Sequence, residues 1–157
     1  MTFMIEVYIG LGSNVGDKEG QLRRALESLD TSEGIRVKAV SNFLPTKAVS
    51  RVRQPDFINA AAKIETYLTP DELLTVLCDI EKKMGRESKG NYDPRTLDLD
   101  ILFYGDQIVC TDHLTIPHPL LHERLFVLTP LAEIAPDFVH PVLGVRIHTL
   151  EKQLLSA

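Results

Sequence analysis

The residues best suited to chemistry lie between Gly85 and Tyr104, in the stretch GRESKGNYDPRTLDLDILFY. It begins polar and glycine-punctuated, with Arg86, Lys89 and Arg95. It then becomes an alternation in which Leu97, Leu99, Ile101 and Phe103 interleave with Asp98, Asp100, Leu102 and Tyr104. Strand side chains alternate faces, so Asp98 and Asp100 project from one face with Cα atoms about 6.5–7 Å apart, while Leu99 points into a core. Two like charges side by side repel unless a cation or hydrogen-bond donors gather there. Mg²⁺ suits such a place, because it binds one or two carboxylates together with substrate phosphates and water. The arginines just upstream can take phosphate oxygens that a metal leaves over. This combination points to metal-assisted chemistry on a phosphate ester. A bare D-x-D is more often a solvated strand edge, and it is the flanking arginines and apolar neighbours that favour the metal.

These residues need elements to hold them. Phe3, Ile5, Val7, Ile9 and Leu11 alternate with Met4, Glu6, Tyr8 and Gly10, which predicts a first strand. The following GLGSNVGDKEG is not a dinucleotide fingerprint, because Val15 occupies the third glycine's place, and no P-loop motif occurs. It reads as a tight strand-to-helix turn, with Gly12 open to close approach of a flat ligand. Leu22, Ala25, Leu26 and Leu29 predict a helix from Lys18 to Leu29 capped by Asp17. Ile35, Val37 and Ala39 predict a second strand ending near Phe43, and Leu44 to Pro55 a long exposed loop. Phe57 to Thr66 predicts a third strand, with the Asn59 amide set among small apolar residues where it must find partners.

Thr69-Pro70-Asp71-Glu72 is a capping-box helix start, with Leu73, Leu77, Ile80 and Met84 as the buried stripe and Gly85 as the stop. Glu81 falls off that stripe and is expected at the surface, bordering the central segment. After Tyr104, Gly105-Asp106 predicts a two-residue hairpin turn with Gln107–Cys110 returning as a strand. Pro117 and Pro119 hold His118 extended. Phe126 stands where H-E-x-x-H spacing from His122 would need a second histidine, so no zinc site is expected. Leu121–Ile134 predicts a helix bent or interrupted at Pro130, and a last helix starts from Thr149. The order is β-α-β-β-α-β with an added hairpin strand and C-terminal helices. That is the pattern of a ferredoxin-like α/β sandwich, an α+β fold whose antiparallel sheet carries helices on one face.

Apolar and charged fractions of 44% and 25% in 157 residues are those of one ordinary globular domain, spanning 1–157. A net charge of −5 argues against general binding to nucleic acid or anionic membrane. No apolar run is long enough to span a bilayer and no secretory signal opens the chain. Cys78 and Cys110 have no metal-type spacing, so reduced thiols and a cytoplasmic location are expected.

Taken together, several motifs resemble the 6-hydroxymethyl-7,8-dihydropterin pyrophosphokinases of folate biosynthesis. They are Leu11-Gly12-Ser13-Asn14, Gln54-Pro55-Asp56-Phe57-Ile58-Asn59-Ala60, Ile80-Glu81 with Gly85-Arg86, Pro94-Arg95-Thr96-Leu97-Asp98-Leu99-Asp100-Ile101, Leu114-Thr115-Ile116-Pro117-His118-Pro119 and Arg124 to Leu128. The resemblance implies transfer of pyrophosphate from ATP to the pterin's hydroxymethyl group, giving AMP and the pterin diphosphate. It implies Asp98 and Asp100 as ligands of two Mg²⁺ ions, and Arg86 and Arg95 as catalytic arginines on the triphosphate. Glu81, Lys89, Ile101, Thr115, His118 and Arg124 are implied around the nucleotide. Gly12, Thr46, Phe57, Asn59, Tyr92 and Phe126 are implied around the pterin, with Phe57 and Phe126 sandwiching the ring. Partners are then the two small-molecule substrates, with neither nucleic acid nor membrane, and a monomer or at most a weak dimer. The pattern is departed from at Lys47, Cys78, Ser88, Asn91 and Tyr92. Two alternatives remain: another two-metal phosphoryl- or nucleotidyl-transfer enzyme, and a non-catalytic ferredoxin-like binding module.

Overall fold

The computed structural model describes residues 3–46, 57–84 and 97–156. The chain runs β1 (Ile5–Ser13), α1 (Lys18–Thr31), β2 (Ile35–Val40), β3 (Leu44–Thr46), β4 (Phe57–Thr66), α2 (Pro70–Lys83), β5 (Asp98–Tyr104), β6 (Val109–Cys110) and β7 (Thr115–Ile116). A 3₁₀ turn (Leu121–Glu123) then leads into α3 (Leu125–Ile134) and α4 (Ile147–Leu155). The main sheet has the order β2-β4-β1-β5, every pair antiparallel, with β3 added along β4. This is the expected α+β sandwich: each helix of the β-α-β-β-α-β core crosses over one strand that pairs between the two it connects, α1 over β4 from β1 to β2 and α2 over β1 from β4 to β5.

One face of the sheet packs Val7, Ile9 and Leu11 with Ala60, Ala62, Ile64, Leu99 and Ile101 against Leu22, Ala25 and Leu29 of α1 and Leu73, Leu77 and Ile80 of α2. Both helices start where the sequence places them. Asp17 accepts the Gly20 N–H, and Thr69 and Glu72 form the reciprocal capping box. Met84 is the C-cap of α2 and only partly buried; the expected stop at Gly85 lies outside the described residues.

The other face is not bare, as a helices-on-one-face reading expects. Tyr8, Ala61, Leu102 and Phe103 form a second core with Leu128 and Leu131 of α3 and Ile147 and Leu150 of α4. Phe103 therefore does not share a face with Leu99 and Ile101. The β1–β5 register slips between Tyr8 and Ile9, pairing Tyr8 with Phe103 but Ile9 with Ile101. The extra residue, Leu102, makes a β-bulge that turns two successive side chains to the same side, and Tyr104 returns to the first core.

Other boundaries differ for local reasons. β2 ends at Val40, because Ser41 leaves the regular ladder: its N–H bonds the Ala61 carbonyl and its hydroxyl accepts the Ala61 N–H, each at 2.9 Å. The expected loop from Leu44 begins instead with three residues of strand, pairing Leu44, Pro45 and Thr46 with Asn59, Ile58 and Phe57. Pro45 is tolerated because β3 lies on the sheet's rim; the rest of that expected loop, from Lys47 on, lies outside the described residues. The Gly105 turn forms, with φ +53° and a Gln107 N–H to Tyr104 carbonyl bond, yet β6 pairs with β7 and not with β5. The outer edge of β5 is thereby left to other groups, among them the His118 N–H, which donates to the Leu102 carbonyl. Pro130 sits inside α3 without ending it; the interruption falls at Arg124, whose backbone is extended. The last helix starts at Ile147, two residues before the expected Thr149.

Candidate active site

The second core covers the sheet around Tyr8 and Phe103, and the same face continues past it to the C-terminal end of β1. There Gly12 pairs with Asp98 on one side and Asn59 on the other. Directly opposed residues in antiparallel strands share a face, and neighbouring strands lie about 4.8 Å apart. A carboxylate, a residue without a side chain and an amide thus form one row about 10 Å long across β5, β1 and β4. Gly10 pairs with Asp100 in the next row toward the core, so both aspartates border glycines. Both are half-buried.

At the Asn59 end the row is closed by β3. The Asn59 amide nitrogen donates to the Thr46 hydroxyl at 2.7 Å, which fixes a buried side chain that would otherwise be costly. A Cβ on Gly12 would stand 2.8 Å from Asn59 Oδ1 and 3.8 Å from the Phe57 ring. Gly12, Thr46, Phe57 and Asn59 are therefore one cluster.

At the aspartate end, the outer edge of β5 opens into a cavity of about 220 Å³ lined by Leu74, Leu99, Asp100, Ile101, Leu114 and Thr115, with His113, His118 and Pro119 at its side. Three of the expected nucleotide residues, Ile101, Thr115 and His118, meet Asp100 there. Burial pushes the His118 imidazole below its ordinary value, the Arg124 guanidinium acts the same way, and Asp98 opposes both. His118, Arg124 and Asp98 are thus within electrostatic reach of each other. Arg124 also lies over the Phe126 ring, 5.6 Å from its centre. Among the described residues Phe57 and Phe126 make no ring contact with each other. Among the same residues no group of three or more His, Cys, Asp or Glu could hold a metal by itself.

Residues 8–136 match the family model described as 7,8-dihydro-6-hydroxymethylpterin-pyrophosphokinase. A Haemophilus influenzae 2-amino-4-hydroxy-6-hydroxymethyldihydropteridine pyrophosphokinase is 45% identical over 138 residues, 88% of this chain and 86% of the relative. The chain belongs to this family. A protein of the same name from Methylorubrum extorquens is 46% identical over 136 residues, 87% of this chain and 86% of that one. A crystal structure of Plasmodium falciparum HPPK-DHPS matches with a TM-score of 0.79 at 14% identity, a likeness of fold; it covers 99% of this chain, which spans 46% of that longer one. Membership in the pyrophosphokinase family makes the chain an ATP-dependent enzyme.

Four expected site residues, Arg86, Lys89, Tyr92 and Arg95, lie outside the described residues. Glu81 is not at the surface. It is 1% exposed, and its Oε2 accepts the Leu99 N–H at 2.8 Å. The helix period alone puts position 81 beside the stripe; its partner lies eighteen residues on, in another element, which no local pattern reveals. The cavity adds Leu74, His113, Leu114 and Pro119. Leu74 could have been found, since it precedes Glu81 by seven residues and so shares its side of α2. His113, paired with Asp71 at 2.9 Å, carries no signal in the sequence.

Proposed function

We propose that this pyrophosphokinase transfers the terminal two phosphates of ATP to the hydroxymethyl group of 6-hydroxymethyl-7,8-dihydropterin, in a Mg²⁺-dependent reaction that gives AMP and the pterin diphosphate for folate biosynthesis. The observation that carries the reading is the row Asp98–Gly12–Asn59, with the β5-edge cavity at one end and the Thr46–Phe57 cluster at the other.

A flat heterocycle laid over Gly12 would present its amide edge to Asn59, and its hydroxymethyl arm toward Asp98. Phe57 and Phe126 would supply its aromatic walls. The adenine and ribose would occupy the β5-edge cavity. Leu99 turns its N–H outward to Glu81, and strand alternation turns the backbone of Ile101 the same way, leaving it to read the base while Thr115 and His118 flank it. A nucleotide seated there carries its triphosphate along Asp100 and Asp98 toward Gly12.

The hydroxymethyl oxygen then attacks the β-phosphorus, the bond from that phosphorus to the α,β-bridging oxygen breaks, and AMP leaves with the bond's electrons while the hydroxyl proton is released. Positioning and electrostatics carry such a reaction, and no side-chain nucleophile is required. Asp98 and Asp100 fit Mg²⁺: both offer hard oxygen donors from one strand face, beside glycines that bring no competing side chain. When bound, the metal neutralises phosphate charge and orients the phosphates for in-line transfer. Arg86 and Arg95 would stabilise charge on the transferred group, Lys89 and Arg124 would add positive charge around the triphosphate, and Tyr92 would cover the pterin. The depressed proton affinity of His118 keeps its imidazole neutral, a hydrogen-bonding group and not another cation.

We place the enzyme in the cytoplasm, with residues 1–157 as one pyrophosphokinase domain that acts on these two small molecules as a monomer or at most a weak dimer. Among the described residues no helix is long and apolar enough to cross a membrane, and Cys78 and Cys110 are free thiols. The test is AMP release from ATP with and without the hydroxymethylpterin. AMP that forms only with the pterin, and only with a divalent cation, is the expected result. AMP formed equally without the pterin contradicts the acceptor.

A further inference from the structure

Glu81 is a carboxylate with almost no exposure in the last turn of α2, and its bond to the Leu99 N–H is made at the one residue between Asp98 and Asp100. β5 is the end strand of the sheet, flanked by β1 on its inner side. Leu99 is in register with Leu11, but its N–H points the other way, onto α2. A charged acceptor makes a stronger bond to an N–H than a carbonyl does, and burial strengthens it further. Leu73, Leu77 and Ile80 clamp the same helix onto the same core. Leu74, two turns before Glu81, lines the cavity. Glu81 thus ties the helix to the D-L-D segment at the Leu99 N–H, a backbone group, while both aspartates sit at the alternate positions of the strand.

We propose that Glu81 is a positioning residue for the Asp98–Asp100 pair. It sets the height and twist of β5 at Leu99, and through Leu99 the aim of the two carboxylates, instead of contacting the nucleotide as the family resemblance implies. The proposal rests on the reading that these aspartates serve Mg²⁺. It makes acceptor reach the property that matters most, with charge adding strength to the bond. Glutamine keeps an oxygen at the same distance along the side chain without the charge, whereas aspartate keeps the charge one methylene short.

The experiment compares Glu81→Gln and Glu81→Asp with the unaltered chain. Exchange of the Leu99 amide is followed in the ligand-free protein. Mg²⁺ is titrated in the presence of α,β-methylene-ATP, with the amide shifts of Asp98 to Ile101 as readout, and analogue affinity is measured separately without metal. Glu81→Asp is expected to speed Leu99 exchange and raise the Mg²⁺ concentration at half-saturation by about tenfold or more. Glu81→Gln should recover most of that loss, and metal-free analogue affinity should stay near the unaltered value in both. The reverse order, with aspartate better than glutamine, overturns the proposal. So does weakened metal-free binding with an unaltered Mg²⁺ requirement, which would make Glu81 a nucleotide contact. If an unaltered chain makes no AMP, the pyrophosphokinase reading fails, while the order of the variants in the Mg²⁺ titration still decides the role of Glu81.

Discussion

Asp98 and Asp100 contribute little to either core, being half-buried on a strand face beside glycines. Asp98→Ala or Asp100→Ala is therefore expected to keep a cooperative melting transition while AMP formation falls by about two orders of magnitude or more, the scale of losing a preorganised charge contact. Near-normal turnover at limiting Mg²⁺ in either variant would remove that aspartate from metal binding. Gly12→Ala tests the pterin end. Its Cβ would stand 2.8 Å from an Asn59 oxygen whose side chain is buried and held by Thr46, so Asn59 must move and give up that bond. Loss of one such contact corresponds to about a tenfold rise in the KM for the pterin. The KM for ATP, which the proposal seats in the β5-edge cavity, should change much less; equal rises in both would place Gly12 outside the pterin end. The pairing of the two aspartates on one face was legible in the sequence because alternation needs only neighbouring residues. Glu81 was not, because its burial is decided by a backbone atom of β5 that packs against it only in the folded chain.

Elements whose signals are local fall where the sequence puts them. β4 spans Phe57–Thr66 as expected, and α2 starts at its Thr69 cap. Thr69→Ala removes the half of that capping box in which the Thr69 hydroxyl accepts the Glu72 N–H, keeping the backbone N–H bond to the Glu72 carboxylate, and should lower unfolding stability by about 1 kcal/mol in a denaturant titration; no change would mean that the helix start is held without the hydroxyl, by the Glu72 half and tertiary packing. β3 and the β5 bulge were not legible, since Pro45 argues against a strand until β4 lies beside it, and a strict alternation gives no sign that Leu102 is the extra residue. The turn joining α3 to α4 carries a pH dependence. His140 is buried against Phe103, and its Nδ1 accepts the N–H groups of Val142 at 3.2 Å and Leu143 at 3.1 Å. That geometry requires the neutral ring. Burial, with His122 adding to it, lowers proton affinity from the ordinary 6.5. Because the unfolded chain then binds the proton more readily, this contribution is complete above pH 6.5 and is lost as pH falls through the lowered folded-state value. His118 acts with the same sign. The melting temperature should rise with pH up to about 7 and then level, and His140→Gln should flatten the rise. An unaltered slope in that variant would take His140 out of the effect.

Across the whole molecule the sheet divides its labour by face and by end. One face is filled by α1 and α2; the other is filled by α3 and α4 around Tyr8 and Phe103, and left to the Asp98–Gly12–Asn59 row beyond them. Strands from three different parts of the chain thereby present an amide, a gap and a carboxylate in one row, with a second carboxylate in the next. The β5-edge cavity adjoins the carboxylate end. Such an arrangement separates an acceptor from a nucleotide by the place where a triphosphate would lie, which is what transfer from one to the other requires. The most direct measurement is ³¹P NMR of the products formed from ATP, Mg²⁺ and 6-hydroxymethyl-7,8-dihydropterin. Stoichiometric AMP and a pterin ester carrying both the β- and γ-phosphorus are predicted. ADP with a pterin monophosphate, or AMP with free pyrophosphate and unchanged pterin, would contradict pyrophosphoryl transfer.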